Sequence, residues 1–327
     1  MKGIKRYAAT GRDVYIDVPL SNVAIVYRPQ GMVVDQLAPI VQVQKQSGAY
    51  PIWSLADAYR LEDDERAPGT EATPVTWDVS SDLYMCRNFA LKTRVPWEDL
   101  ENADPWFIIN TREAKARRIK DKLVLKWESR VASKVTSGSN VGSYAAVASS
   151  WNDHNTGKSA PIDDINKALK NVEDSTGVRP NHICFSRASW REFREHADVI
   201  NRIYGTTGAG QPARLVTREN TKALFEVDEI LVAGTYKNTK DKGLGVSLSM
   251  MWGGNVLVYY APMQPSIDDA SFMYSFRWPK VRDLDMAATV RSIEPKQCDE
   301  IELGYYQDEK ITAKELGFLI TTTVSGY

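Results

Sequence analysis

Hydrophobic positions along this chain change their period several times, and those changes divide it into stretches with different expected structures. Residues 1–50 carry short apolar patches, Val23 to Tyr27, Met32 to Val34 and Ile40 to Val43, separated by polar residues without a sustained helical or strand period. Such a segment has no continuous face to bury, so it predicts an extended arm whose partners lie elsewhere. Next comes a charged, turn-rich run from Arg60 to Thr70, which contains Glu62, Asp63, Asp64, Glu65 and Arg66 and ends on Ala67-Pro68-Gly69. C-terminal to it, Leu83, Met85, Phe89 and Leu91 alternate with polar residues, interrupted only by Arg87, and predict a half-buried strand. Residues 41–95 together predict a long two-stranded excursion with a charged tip. A ribbon of that kind is marginal alone and should lie on another surface.

Asp104-Pro105 has the form of a helix start, an N-cap followed by proline at the first helical position. Beyond it, Ile119, Leu123, Trp127, Val131 and Val135 recur at every fourth residue and predict the core-facing stripe. Lys120, Asp121, Lys122, Lys126, Glu128, Arg130 and Lys134 are expected elsewhere around the helix, which should end near Ser137-Gly138. About 30 residues at 1.5 Å each make a helix on the order of 45–50 Å, long for one globular unit. Residues 139–160, rich in Ser, Asn and Gly, predict a loop.

Residues 161–262 alternate helix and strand. Ile162, Ile165, Leu169 and Val172 mark a helix closed by Gly177, and His182 to Phe185 a short strand. Ser186 then caps a helix carrying Trp190 and Phe193, and Glu229 to Ala233 and Val256 to Tyr260 supply two more buried strands. The sum is a compact α/β lobe. From Ser271 the pattern is mostly strand (Phe272 to Trp278, Ala288 to Val290, Ile301 to Tyr306, Leu319 to Val324), expected to return onto the long helix.

Charge narrows the function classes. The 327 residues hold 41 Lys+Arg against 42 Asp+Glu, without the basic excess of a tight duplex binder, although a locally basic surface stays compatible. Cys86, Cys184 and Cys298 are far apart, lack a C-x-x-C pair and fit a reducing compartment. The basic start, Met1 to Tyr7, leads into Gly11-Arg12-Asp13 instead of an apolar run, and the most apolar stretch, Met250 to Tyr260, is short and broken by Gly253-Gly254-Asn255. Neither a signal peptide nor a membrane span is expected.

Candidate chemistry is sparse. Asn152 to Ser159 ends like a phosphate-binding loop but has Asn152 where the motif needs glycine, and Gly205 to Gly210 has the wrong spacing for a dinucleotide turn. His154, His182 and His196 show no metal-helix or triad spacing. Asp163-Asp164 should open a helix, where acids meet the dipole favourably, and Glu62 to Glu65 should be a solvated turn. Trp127, Trp190 and Tyr259 fall at core periods rather than forming a stacking platform. No catalytic, cofactor-binding or metal-binding residue is assigned, and a structural protein is expected.

The order of elements, with several local stretches, resembles the HK97-like major capsid proteins of tailed bacteriophages. Gln44 to Tyr50 and Arg66 to Gly69 resemble the base and tip of that family's E-loop. Gly177 to Ser186, continuing to Trp190, resembles its A-domain helix–strand–helix, and Asp228 to Val232, Trp252 to Tyr259 and Phe276 to Trp278 follow in the family's order. The similarity runs over about residues 40–325.

The resemblance implies an α+β fold with an N-terminal arm (1–40), an E-loop (41–96), a P-domain with the spine helix (97–160), an α/β A-domain (161–261) and P-domain return strands (262–327). It implies a shell subunit that assembles with itself as hexamers and pentamers in the host cytoplasm and resides in the virion. A portal protein, a scaffolding protein or a cement protein would be its partners, and packaged DNA a weak, non-specific contact. Arg60, Glu62, Asp63, Asp64, Glu65 and Arg66 would make contacts between subunits. Some relatives cross-link through Lys and Asn; Lys45, Lys92 and Asn88 are present without an aligning motif, so no covalent link is expected. No long charged helical segment precedes the arm. The competing reading is a small-molecule enzyme or ligand-binding protein using the 161–261 lobe; a tail-tube protein is a third, disfavoured by the long helix.

Overall fold

A computed structural model describes residues 15–16, 31–53, 59–62, 64–66, 68–69, 71–72, 74–76, 78–101, 105–154, 157–205, 215–241, 245–279 and 287–324. In chain order, β1 (Tyr15–Ile16), α1 (Val34–Leu37) and β2 (Ile40–Gln42) precede a hairpin of β3 (Ser47–Trp53) and β4 (Val79–Met85). β5 (Arg87–Pro96) and α2 (Trp97–Glu101) lead into α3 (Pro105–Val135). There follow β6 (Ser143–Ala146), α4 (Pro161–Thr176), β7 (His182–Ser186), α5 (Arg187–Glu195), α6 (Ala197–Tyr204), α7 (Arg218–Phe225), β8 (Glu229–Ala233), β9 (Tyr236–Asn238), β10 (Leu248–Met250) and β11 (Val256–Tyr259). β12 (Met273–Trp278), β13 (Ala287–Ile293), β14 (Cys298–Ile311) and β15 (Gly317–Thr321) close the described chain.

The 31 residues of α3 make a rod of about 46 Å. Its apolar stripe, Ile119, Leu123, Trp127, Val131 and Val135, is buried, and so is Ala116 one turn earlier. The stripe serves two cores. Ala116, Ile119 and Leu123 pack with Val95, Ala288, Ile301, Leu303 and Tyr305 of the large sheet. Trp127, Val131 and Val135 pack with α1 and with Cys184, Leu257 and Tyr259 of the lobe. The helix is therefore the common wall of both units. Two residues expected on its polar side, Lys120 and Glu128, are buried instead.

The large sheet runs β1-β13-β14-β12-β2, with β5 also paired to β14. β14 pairs antiparallel with β13 over Cys298 to Gly304, with β12 over Tyr306 to Ile311 and with β5 over Cys298 to Gln307. β5 and β2, placed by sequence in the excursion, thus belong to this sheet, and only β3 and β4 form the free ribbon, in register from Ser47↔Met85 to Trp53↔Val79. Leu83 and Met85 also differ from expectation. They are 67% and 61% exposed, because Tyr84 and Cys86 occupy the inward positions. With a period of two, putting Tyr84 on the core face turns both neighbours outward.

The lobe's sheet has the order β6-β15-β11-β7-β8. Apart from β6, which is largely exposed, its strands are buried on both faces, one against α3 and the other against a cluster containing Ile165, Leu169, Phe193, Val199 and Phe225 from α4 to α7. Two of its five strands lie outside 161–261. The expected loop 139–160 contains β6, which pairs parallel with β15, and the fully buried Trp151, whose indole N–H donates to Asp164 Oδ2 at 3.0 Å. β15 returns to the core shared with the long helix, as expected, through Leu319, but does so as a strand of the lobe's sheet beside β11.

Local capping follows the sequence closely. Gly177 ends α4 in the left-handed region at φ +68°. Ser186 caps α5 by accepting from the Ser189 N–H at 3.1 Å. The His196 side chain caps α6, accepting from the Asp198 N–H.

Candidate intersubunit surfaces

The β3–β4 ribbon is fixed at its base. Tyr50 and Tyr84 place their rings 5.2 and 5.0 Å from Phe276, over Val41, Val43 and Cys86. The Tyr50 hydroxyl donates to Asp82 Oδ2 at 2.9 Å, the Met85 N–H to Asp308 Oδ2 at 3.0 Å, and Gln46 Nε2 to the Cys86 carbonyl at 3.1 Å. The Leu83 N–H, then the Tyr50 hydroxyl, hold the Asp82 carboxyl below its ordinary range. Burial pushes the Cys86 thiol up to about 11.

On its outward face the ribbon offers Val79, Leu83 and Met85 to solvent, and the tip adds Tyr59 and Leu61, the latter 98% exposed. Arg60, Glu62, Asp64, Glu65 and Arg66 are exposed at that tip, whereas Asp63 lies outside the described residues. Charged residues thus stand beside large apolar ones, which the charge pattern alone did not indicate. A groove of about 570 Å³ runs along β4, lined by Leu83, Met85, Phe89, Arg130 and Asp308 among others. The ring of Tyr59 covers Gly177, where an added Cβ would come within 2.6 Å of it.

Acids on both faces of β14 collect cations. Asp299 accepts from Arg112 at 2.6 Å, the Trp97 indole at 3.0 Å and Ser292 at 2.8 Å. Glu300 accepts from Lys92 at 3.1 Å and Arg94 at 2.8 Å, and these bonds lower its pKa. Glu309 binds Arg130 at 2.6 Å, and the Arg130 guanidinium lies 3.8 Å from the Phe89 ring centroid. The Asp299 and Glu309 bonds orient the sheet on the helix more than they add net stability, whereas the Glu300 bonds join two strands of the sheet.

Glu128 joins three parts of the chain. Its buried carboxylate accepts from the Val33 and Val34 N–H groups at the start of α1 (3.2 and 3.3 Å), from Thr235 Oγ1 (3.2 Å) and from the Trp252 indole (3.0 Å). Burial raises its pKa, with the four donors pulling the other way. Periodicity could not expose this role: only a non-local set of donors makes a buried glutamate tolerable.

The lobe does contain a serine–histidine pair. Ser159 Oγ and His196 Nε2 are 2.8 Å apart, with Asp198 Oδ2 3.8 Å from Nδ1. The Asp198 N–H donates to Nδ1, which assigns the proton to Nε2, and Ser159 Oγ in turn donates to the Asp153 carbonyl at 3.0 Å. A nucleophile's base must accept from the serine; here the imidazole donates to it. Both side chains are buried, and burial lowers the His196 pKa. The pair is a helix cap tied to a loop. Several clefts lie around residues 260–271 and the ribbon base, including one of about 90 Å³ lined by Tyr50, Ile52, Tyr274 and Phe276. Among the described residues, no group of three His, Cys, Asp or Glu is placed to hold a metal ion. No described helix is long and apolar enough to cross a membrane.

A long helix walling two cores, a projecting ribbon and a lobe built around a five-stranded sheet make an α+β architecture shared with phage capsids. The capsid structure of Cyanophage P-SCSP1u superposes with a TM-score of 0.50 at 10% identity, over 98% of this chain and 92% of that one. A phage-related protein of Bordetella bronchiseptica RB50 superposes at 0.74 with 21% identity, over 95% and 98%. The fold is that of the HK97-like phage capsid proteins, and its class is the capsid-shell subunit. Within that class the chain is similar to two proteins named major capsid protein. That of Pseudomonas phage JBD67 is 24% identical over 318 residues, 95% of this chain and 97% of the relative, and that of Burkholderia phage BcepMu is 25% identical over 254 residues, 76% and 77%. Over most of its length the chain is thus similar to phage major capsid proteins, and the likeness supports a structural, shell-forming role. No protein-family model matches it.

Proposed function

We propose that this protein self-assembles, as hexamers and pentamers, into the icosahedral shell around a phage genome, and that it performs no catalysis. The observation that carries the proposal is the ribbon: fixed at its base, it presents Val79, Leu83 and Met85 and the tip residue Leu61 to solvent. A soluble monomer gains nothing from such a surface, whereas a neighbouring subunit would bury it. Arg60, Glu62, Asp63, Asp64, Glu65 and Arg66 would form its polar rim. The arm (1–40) would join neighbours as the ribbon does, the A-domain lobe would sit at the five- and six-fold axes, and the P-domain would meet its copies at three-fold positions. The wrong tautomer of the Ser159–His196 pair supports a structural over a catalytic lobe.

Portal, scaffolding and cement proteins would be partners in the host cytoplasm, and the virion the final location. Shell strength would come from buried area and not from a covalent link through Lys45, Lys92 or Asn88. Size-exclusion chromatography with negative-stain microscopy of the purified chain tests the proposal. Closed shells are expected; small oligomers or tubes would refute it.

A further inference from the structure

The charge of this chain is balanced overall but unevenly placed. α3 holds nine cations (Arg112, Lys115, Arg117, Arg118, Lys120, Lys122, Lys126, Arg130, Lys134) against three acids (Glu113, Asp121, Glu128), in a chain of net charge −1. Most of the nine are engaged within the subunit. Arg112 pairs with Asp299, Lys115 with Asp99, Arg117 with Glu113, and Arg130 and Lys134 with Glu309, while Lys120 is buried. Arg118, Lys122 and Lys126 remain. Each is exposed, and none has an ion-pair partner among the described residues.

Their spacing of four residues puts the three in one row along the helix, successive charges about 6 Å apart. Like charges at this spacing destabilise a helix, and no ion pair among the described residues offsets that cost. Asp121, the nearest acid in sequence, buries Oδ1 without a hydrogen-bond partner and forms no ion pair with the three. A row of positive charge about 12 Å long, on a rigid rod, suits a linear polyanion. We propose that Arg118, Lys122 and Lys126 form a contact for the phosphate backbone of duplex DNA, placing this edge of α3 on the genome side of the shell. The contact reads charge and not sequence, because no base-reading element accompanies it. It rests on the shell reading above.

The test is binding of the unassembled full chain to a fluorescent 30-base-pair duplex across a salt series, with the variant R118Q/K122Q/K126Q. Three phosphate contacts contribute about −2.7 to the slope of log K against log salt, a factor of about 40 between 50 and 200 mM. The triple variant should lose that share, while the control K237Q/K240Q, exposed cations on the lobe, should keep it. An unchanged slope in the triple variant, or no duplex binding by the unaltered chain at low salt, would overturn the proposal. So would a triple variant that keeps duplex binding but loses polyglutamate binding, which would assign the row to an acidic protein segment. Microscopy of the same chain under assembly conditions separates the two readings: shells without the salt-dependent contact sink only this one, and failure to form shells sinks the shell.

Discussion

Replacing Glu128 by alanine tests whether the three parts of the subunit are held by one buried carboxylate. The substitution removes the acceptor of the Val33 and Val34 N–H groups, Thr235 Oγ1 and the Trp252 indole. The Thr235 hydroxyl can turn to another acceptor; the two backbone groups and the indole cannot. A buried donor left without a partner costs about 1–3 kcal/mol, and the relief of taking a charge out of the core offsets part of the sum. The net loss should be about 3–5 kcal/mol, the usual range for breaking a buried polar set from one side, and a large fraction of a domain's stability. Glu128→Gln is the informative companion. Donors face both carboxylate oxygens, so either amide orientation turns an NH2 group onto donors, and a loss of about 1–3 kcal/mol is expected. Urea unfolding of the unassembled chain, followed by tryptophan fluorescence with Trp127 and Trp252 near the site, measures both losses. Hydrogen exchange at Val33 and Val34 localises the effect. If Glu128→Ala unfolds within about 1 kcal/mol of the unaltered chain, the carboxylate is not the fastener argued here.

Three further outcomes follow from the same geometry. Replacing Glu62, Asp63, Asp64 and Glu65 together by alanine should reduce particle yield while the monomer's melting temperature stays unchanged; normal yield by negative-stain counting would remove the tip from the interface. Asp82 has a folded pKa below its ordinary value near 3.8, so its contribution to the ribbon base is present above that value and lost as pH falls through the lower folded one. Because Asp82 is half exposed the effect should be small, and Asp82→Asn should flatten the acid limb of ribbon proteolysis below about pH 4. Gly317→Ala puts a Cβ into the ring of the buried Phe272 from a strand held on two sides, and should cost about 1–3 kcal/mol in urea unfolding; no change would show that the ring can yield.

Local pattern carried much of the architecture. The stripe from Ile119 to Val135, the Gly177 stop, the Ser186 cap and the strands at 182, 229 and 256 all follow from nearest-neighbour rules that operate within a turn or two. What the sequence concealed is non-local. Leu83 and Met85 alternate as a buried face would, yet Tyr84 on Phe276 decides which face turns inward. Ser143 to Ala146 has no strand signal of its own and becomes a strand because β15 offers an edge. Glu128 reads as solvent-facing until its donors, 94 to 124 residues away in sequence, are brought beside it. The charged tip was visible, but the apolar surface next to it was not, since an outward leucine and an inward one look alike in a sequence.

The position of β15 has a consequence for synthesis. Residues 317–321 sit inside the lobe's sheet, between β6 and β11, although the rest of that lobe is translated well before them. On the ribosome, β11 waits with one edge unpaired until this late segment emerges, so the lobe is finished only after the rest of its strands have been made. Polypeptides terminated before residue 317 lack a strand that nothing else in the sheet replaces. Completion of the lobe is thereby tied to a strand made long after the others, since β15 is what covers the facing edges of β6 and β11.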